Sequence, residues 1–315
     1  MKRWTTLAAA ALAAPALATG PAVAAYAAPT QTTVAATTAT AAALTPGGAV
    51  ARQLAGKGNV KIVNSSRIAL SEKELKGGLT LPKQITTGVL GYGGGKVNAA
   101  DFTTRVSISP EVRAELKALD GDLEELFRPT QVIVVNGVGY RNSEFLAKYL
   151  PTGKTWISSP IGDDPFWSPA TENVDALSPA TLDAVLKSAK KGAGGTLDGV
   201  KTTLYQVKSP LRDLAKISPE MKNLWVALDD KKSTSTATVK VWVGPDQLPR
   251  RVMTSIVQKS GKNSFVTTTS TMFSEWRKPV AITAPDPSLV IDADQVALPL
   301  FLDEAPLSLD PKRGL

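Results

Sequence analysis

Chemistry in this chain must be sought among carboxylates, hydroxyls and lysines, because its 315 residues include no histidine and no cysteine. That removes the commonest general base, the thiolate nucleophile, any disulfide and most transition-metal ligands. Two pairs of adjacent carboxylates remain, Asp163-Asp164 and Asp229-Asp230. Acid–base catalysis needs two carboxyls whose surroundings push their pKa values apart, and neighbours in one loop share the same solvent. Both pairs therefore read as surface loops. A serine–lysine nucleophile needs the two side chains to meet in space, and no motif marks such a pair. The run Gly91–Gly95 lacks the Gly-Lys-Ser/Thr ending and the following helix of a phosphate loop, so it reads as a hairpin turn. The stretch "DADQ" (292–295) is too short of acidic and amide groups for a calcium loop. The expectation is a protein that is not an enzyme and uses no metal and no cofactor.

The aromatic residues are the other candidates for contact with a ligand: Tyr140, Trp156, Phe166, Trp167, Tyr205, Trp225, Trp242, Phe265 and Trp276. Aromatic side chains are more often core than contact surface. Their meaning depends on the elements that carry them, and those elements are mostly strands. The runs 60–70, 84–109, 130–142, 196–209, 235–244, 249–260 and 263–276 are extended in character. Gly93-Gly94-Gly95, Asn136-Gly137, Asp198-Gly199, Pro245-Asp246 and Gly261-Lys262 supply the turns. The last three long runs make an antiparallel meander. Val239, Val241 and Val243 share one face, opposite Lys240 and Trp242. In 263–276 the two faces are Phe265-Thr267-Thr269-Thr271-Phe273 and Val266-Thr268-Ser270-Met272.

Three helices are predicted. The segments 109–127, 178–192 and 218–228 each open on Ser-Pro, a cap followed by a proline at the first helical position. The second is expected to stop at Gly192 and to carry Leu182, Val185, Leu186 and Ala189 on one face; the third carries Met221, Leu224, Trp225 and Leu228. A many-stranded sheet with one greasy face and helices with one greasy stripe must cover each other. The fold class expected is α+β, a strongly curved antiparallel sheet, or half-barrel, capped by a few helices.

The organisation along the chain reads as four parts. Residues 1–27 form a signal peptide, with Lys2 and Arg3, then an apolar run broken by Pro15 and Gly20, then Ala25-Tyr26-Ala27. Residues 28–48 form a flexible Ala/Thr/Pro linker, too poor in burial to offset the cost of ordering. A single domain follows over 49–294, and a tail over 295–315 either covers the cavity mouth or is disordered. The formal charge is +8, falling to +6 without Lys2 and Arg3. The basic residues are scattered, and no basic–aromatic reader motif appears, so nucleic acid is not an expected partner.

The order "VIVVNGVGYRN", "LPTGKTWI", "LDGVKTTLYQV", "VKVWVGPDQLPRRV" and "FSEWRKPVAITAPDPSLVID" resembles the secreted actinobacterial lipoproteins related to the mycobacterial LppX/LprG group, with the LolA-like half-barrel. The resemblance covers about residues 49–294 and is carried best from Leu197 onward. It implies a single bent sheet plugged by helices, and a role in binding or carrying acyl lipids, glycolipids or lipoproteins in the cell envelope. This chain departs from the group in lacking an anchoring cysteine, which points to a released, extracytoplasmic protein.

Joined to that resemblance, the residues suggest an apolar cavity between sheet and helices. The expected lining is Val134, Tyr140, Trp156, Leu182, Leu186, Leu204, Trp225, Val241, Val252, Phe265 and Trp276. Expected partners are a lipid or acylated ligand and envelope proteins, with the chain a monomer. Two alternatives stay open: an envelope partner-binding or regulatory protein on the same scaffold with a filled interior, and a hydrolase using carboxylates or a serine–lysine pair. Trp276, Pro279 and Val280–Ile282 are expected to end one long strand and begin the last.

Overall fold

The structure, a computed structural model, describes residues 44–70, 83–110, 113–114, 127–161, 174–227, 235–260 and 263–296. The chain enters through helix α1 (Pro46–Ala55) and runs into strands β1 (Gly58–Leu70), β2 (Lys83–Gly93), β3 (Lys96–Ser107), β4 (Thr130–Val135) and β5 (Val138–Ser143). A short helix α2 (Glu144–Ala147), strand β6 (Trp156–Pro160) and helix α3 (Pro179–Leu186) follow. Then come β7 (Lys190–Leu197), β8 (Val200–Pro210), α4 (Leu211–Leu214) and α5 (Pro219–Ala227). The meander β9 (Thr236–Val243), β10 (Pro249–Ser260) and β11 (Asn263–Ser274) leads to a last strand, β12 (Val290–Asp292).

All twelve strands join one sheet in the order β12-β6-β5-β4-β3-β2-β1-β11-β10-β9-β8-β7. Every pair is antiparallel except β12 with β6. The order has two ends, so the sheet is open and not closed into a barrel. The architecture is α+β, as the patterning predicts. One core cluster draws side chains from β1–β4 and β8–β11 together with α1, α3, α4 and α5. The eight strands that feed this cluster, β4-β3-β2-β1-β11-β10-β9-β8, are neighbours in the sheet, and the helices pack on their inner face.

Local sequence explains the turns. Asn136 and Gly137 have φ of 54° and 76°, and Asp198 and Gly199 have 46° and 78°, the positive pairs of two-residue hairpins. On the inner face, Phe102, Gly88, Ile62 and Phe273 face one another across β3, β2, β1 and β11. Gly88 is required there: a Cβ would collide with the Asp101 carbonyl and with Phe102.

Helices α3 and α5 begin as the sequence predicts. Ser178 Oγ accepts a hydrogen bond from Thr181 N at 3.4 Å, and Ser218 Oγ accepts one from Met221 N at 3.3 Å. Helix α3, however, ends at Leu186, not at Gly192. Residues 190–197 form β7, which lengthens the predicted 196–209 hairpin and makes the sheet edge. The glycines there serve a strand: a Cβ on Gly194 would collide with Thr202, and Gly195 has φ of 72° at a bulge. Lys190 and Lys191 put charge on that edge, which discourages pairing with another chain.

Other readings need amendment. Helix α1 starts at Pro46, so the boundary drawn at residue 49 falls inside it. Strand β11 ends at Ser274, and the run Val280–Ile282 is irregular; the last strand is β12. Of the helix expected over 109–127, residues 110, 113 and 114 are helical. The remainder of that helix up to residue 126, the pairs Asp163-Asp164 and Asp229-Asp230, Phe166, Trp167, Leu228, the Gly261-Lys262 turn, the signal peptide, most of the linker and the tail from 297 lie outside the described residues.

Candidate functional site: the concave face and its closed end

The inner face is sealed at one end by helices. Helix α1 lies against α3 and reaches β2 and β3, and α3 reaches β8. Helix α4 follows Pro210 at the other end of the strands, where it packs on β8 and β9 and Leu211, Ala237 and Ile256 are buried. Asp183 on α3 joins α1 to α3. Its Oδ1 accepts a hydrogen bond from Gly47 N at 2.8 Å and its Oδ2 accepts one from Thr45 Oγ1 at 2.9 Å. The carboxylate thus meets the buried Gly47 amide at the start of α1, where negative charge is favoured. A side chain at Gly47 would collide with Asp183 and with the Pro179 carbonyl. Leu182 and Val185 on α3 and Val60, Ile62, Leu90 and Val241 on the strands are fully buried.

Trp276 completes this closed end. Its ring stacks on Phe273 with centroids 6.1 Å apart and tilts against Tyr92 at 6.3 Å. Its Nε1 donates to the Pro249 carbonyl at 3.3 Å. The chain reaches this position through left-handed conformations at Glu275 (φ 51°) and Arg277 (φ 70°). Such conformations cost of order 1 kcal/mol each for residues with a side chain. They are held by Arg277 N donating to Asn59 O at 2.8 Å, and by Asn59 Nδ2 donating to the carbonyls of Lys278 and Val280 at 3.2 and 2.8 Å. Arg277 Nε donates to Gln53 Oε1 at 2.7 Å, and Gln53 Nε2 donates to the Tyr92 hydroxyl. Hydrogen bonds from Lys278 and then Lys61 hold the Glu275 carboxyl below its usual range.

Further along the strands the inner face becomes polar without becoming charged. Asn64 Nδ2 donates to Thr271 Oγ1 at 2.9 Å, and the Thr86 and Thr104 hydroxyls lie 2.8 Å apart. These four residues form one cross-strand row. In the next row Ser66 and Thr269 hydroxyls lie 3.4 Å apart, beside Gln84, Thr254 and Val239. Mutual hydrogen bonding offsets the cost of burying hydroxyl and amide groups here. Beyond these rows Phe265 and Thr267, and at their margin Ser66, Gln84 and Val106, stay half-buried.

The predicted lining residues separate under this geometry. Val134, Leu182, Leu186, Trp225, Val241 and Val252 join or pack on the one core cluster, and Phe265 shares their face of the sheet. Leu204 pairs opposite Trp242, and Tyr140 opposite Ile133 and Ser158, so both lie on the other face. Trp156, two residues from Ser158 on β6, alternates onto Tyr140's side of the sheet. Strand pairing decides these faces, and a one-residue step reverses them. Two hollows of about 840 and 800 Å³ open at the closed end, and Trp276 is the one residue of the predicted lining that borders either. Sequence reasoning missed Arg52, Gln53, Tyr92 and Arg277, which border them; the one signal of that region in the sequence is Trp276 standing between Glu275 and Arg277.

Among the described residues no cluster of three acidic, histidine or cysteine side chains could hold a metal ion, and no helix is long and apolar enough to cross a membrane. Asp175 carries the largest carboxyl shift resolved among them. Burial, with a smaller push from the Glu220 charge, raises it from 3.8 to about 6, against the lowering effect of the Leu177 amide.

No family model matches this chain, and no curated protein does. Among solved structures it is similar to LprF from Mycobacterium bovis, at 15% identity over 76% of this chain and 96% of that one, with a TM-score of 0.37. It is also similar to the lipoprotein LppX from Mycobacterium tuberculosis, at 15% identity over 75% of this chain and 97% of that one, with a TM-score of 0.32.

Proposed function

We propose that this chain is a secreted, non-catalytic binding protein of the LppX/LprG kind that holds an acyl lipid on the concave face of its open sheet. The observation that carries this reading is the uneven cover of that face. Inner rows sealed at Phe273, Ile62 and Leu90 continue on β1–β3 and β11 to Phe265, Thr267, Ser66, Gln84 and Val106, which stay half-buried, while Ile256 and Ala237 on β10 and β9 are buried beside α4. An uncharged surface that mixes aromatic and aliphatic groups with a few hydroxyls suits a hydrocarbon chain fixed by a small number of polar contacts. Secretion rests on the pattern of residues 1–27.

Native mass spectrometry of the protein purified from a secreting host tests the reading. Acyl lipid is expected to co-purify, and Thr267→Trp, which fills the half-covered end, is expected to lower its occupancy about tenfold while the melting curve holds. A lipid-free wild-type spectrum would overturn it. The filling of the space beside α3, where Leu182 and Val185 are 0% and 1% exposed, favours a second reading. In it the scaffold has a solid interior and binds an envelope protein, and the same lipid-free spectrum would point there.

A further inference from the structure

The hollow of about 840 Å³ beside Trp276 lies at the opposite end of the inner face from the proposed acyl site, and its chemistry is different. Its apolar wall includes Phe273, Trp276 and Leu248. Around that wall stand four cations, Arg52, Lys61, Arg250 and Arg277, and three carboxylates, Asp198, Asp246 and Glu275. Two of the cations are already paired. Arg250 Nη2 lies 2.6 Å from Asp246 Oδ2, and Lys61 Nζ lies 3.3 Å from Glu275 Oε1, which Lys278 also engages through its other oxygen. Among the described residues, Arg52 and Arg277 have no carboxylate partner.

Arg277 is also held in place. Its backbone is pinned to Asn59 and its Nε to Gln53, which is itself tied to Tyr92. That contact uses one edge of the guanidinium and leaves the terminal nitrogens for another acceptor. A guanidinium with its position fixed in advance loses little freedom on binding an oxyanion, and it presents two parallel donors to one. Arg52 is the residue next to Gln53 on α1 and borders the same hollow.

We propose that this hollow is a binding site for a small amphiphilic anion, with a phosphate or carboxylate group taken by Arg277 and Arg52 and an apolar body laid against Trp276, Phe273 and Leu248. The volume falls in the range of small-molecule sites. The site does not depend on the acyl-lipid reading.

Isothermal titration of the full chain tests it, with octyl phosphate, phenyl phosphate, inorganic phosphate and the neutral octyl glucoside as probes. Octyl phosphate is expected to bind tightest, with affinity falling as salt rises. Arg277→Gln and the exposed Arg52→Gln are each expected to weaken it about tenfold, while Arg212→Gln, outside the hollow, leaves it unchanged. Arg277→Lys, which keeps the charge and loses the fork, should fall between. Tight binding of inorganic phosphate alone would keep the oxyanion pocket and assign it to free phosphate; binding only of the alkyl and phenyl phosphates would assign it to an amphiphile. Octyl phosphate binding no tighter than octyl glucoside, or unchanged in a folded Arg52→Gln, would overturn the proposal. Loss of co-purified lipid in Thr267→Trp with octyl phosphate affinity retained would separate this site from the acyl site.

Discussion

Phe273 and Phe265 lie on the same strand and the same face, eight residues apart, yet Phe273 is 2% exposed and Phe265 is half-buried. Eight residues of strand are about 27 Å, the width of a small domain. At one end α1 and α3 dock on each other through Asp183, and Trp276 folds back over Phe273. At the other end α4 buries Ile256 and Ala237 on β10 and β9, while Phe265 and Thr267 on β11 and Ser66, Gln84 and Val106 on β1–β3 stay half-buried. The alternating pattern is identical along the strand, so burial was decided by what lies over it. One end of the inner face is closed by packing; the other leaves Phe265 and Thr267 half-buried.

Substitutions can break this contrast, and the largest effect belongs to the sealed end. Phe273→Ala should lower unfolding free energy by about 4 kcal/mol, measured by urea titration, because it empties the centre of the aromatic plug. A loss below about 1 kcal/mol would mean that the plug is not tightly packed. Gly88→Ala should cost about 2–3 kcal/mol by forcing a methyl group into Phe102 and the Asp101 carbonyl. Its neighbour Val89, on the outer face, should accept alanine at less than half that cost.

Asp175 offers a pH test on the loop leading into α3. Its native pKa of about 6 stands above the ordinary 3.8, so the native state holds the extra proton between those values. Stability therefore falls as pH rises from about 4 to 6 and stays lowered at neutral pH. Asp175→Asn keeps an acceptor for the Leu177 amide, whose bond is 2.8 Å, and should stabilise the protein at pH 7 by about 2 kcal/mol. It should also flatten that part of the pH–stability curve; an unchanged slope would show that Asp175 is better hydrated than its position indicates. The smallest effect on stability is expected at the uncovered end. Phe265→Ala should cost less than about 1 kcal/mol while lowering co-purified lipid, and a cost equal to that of Phe273→Ala would erase the distinction between the ends.

The hairpins were legible because their information is local. Asn136-Gly137 and Asp198-Gly199 name their turn by residue type, and the alternation of Val239, Val241 and Val243 names its face. Helix α1 was hidden because its first turn, "PGGA", contains two glycines; beside the local cap, where Thr45 Oγ1 accepts from Gly48 N, its Gly47 amide donates to Asp183, 136 residues away. Strand β7 was hidden because Leu186 and Ala189 extend a helical stripe up to the point where Gly194 must approach Thr202. The site residues divided likewise. Core positions such as Leu182 and Val241 followed from periodicity, whereas Leu204, Tyr140 and Trp156 needed the strand register to show their face.

Taken alone, the amino-acid sequence determined the class of the protein: many antiparallel strands, few helices, and no histidine or cysteine chemistry. Periodicity and turn chemistry are short-range, so they survive without knowledge of distant partners. Only the tertiary structure decided which end of the concave face is sealed, why Trp276 sits among charges, and where Arg52 and Arg277 are left without carboxylate partners among the described residues. Those outcomes depend on groups brought together from opposite ends of the chain, and no local pattern encodes such a meeting.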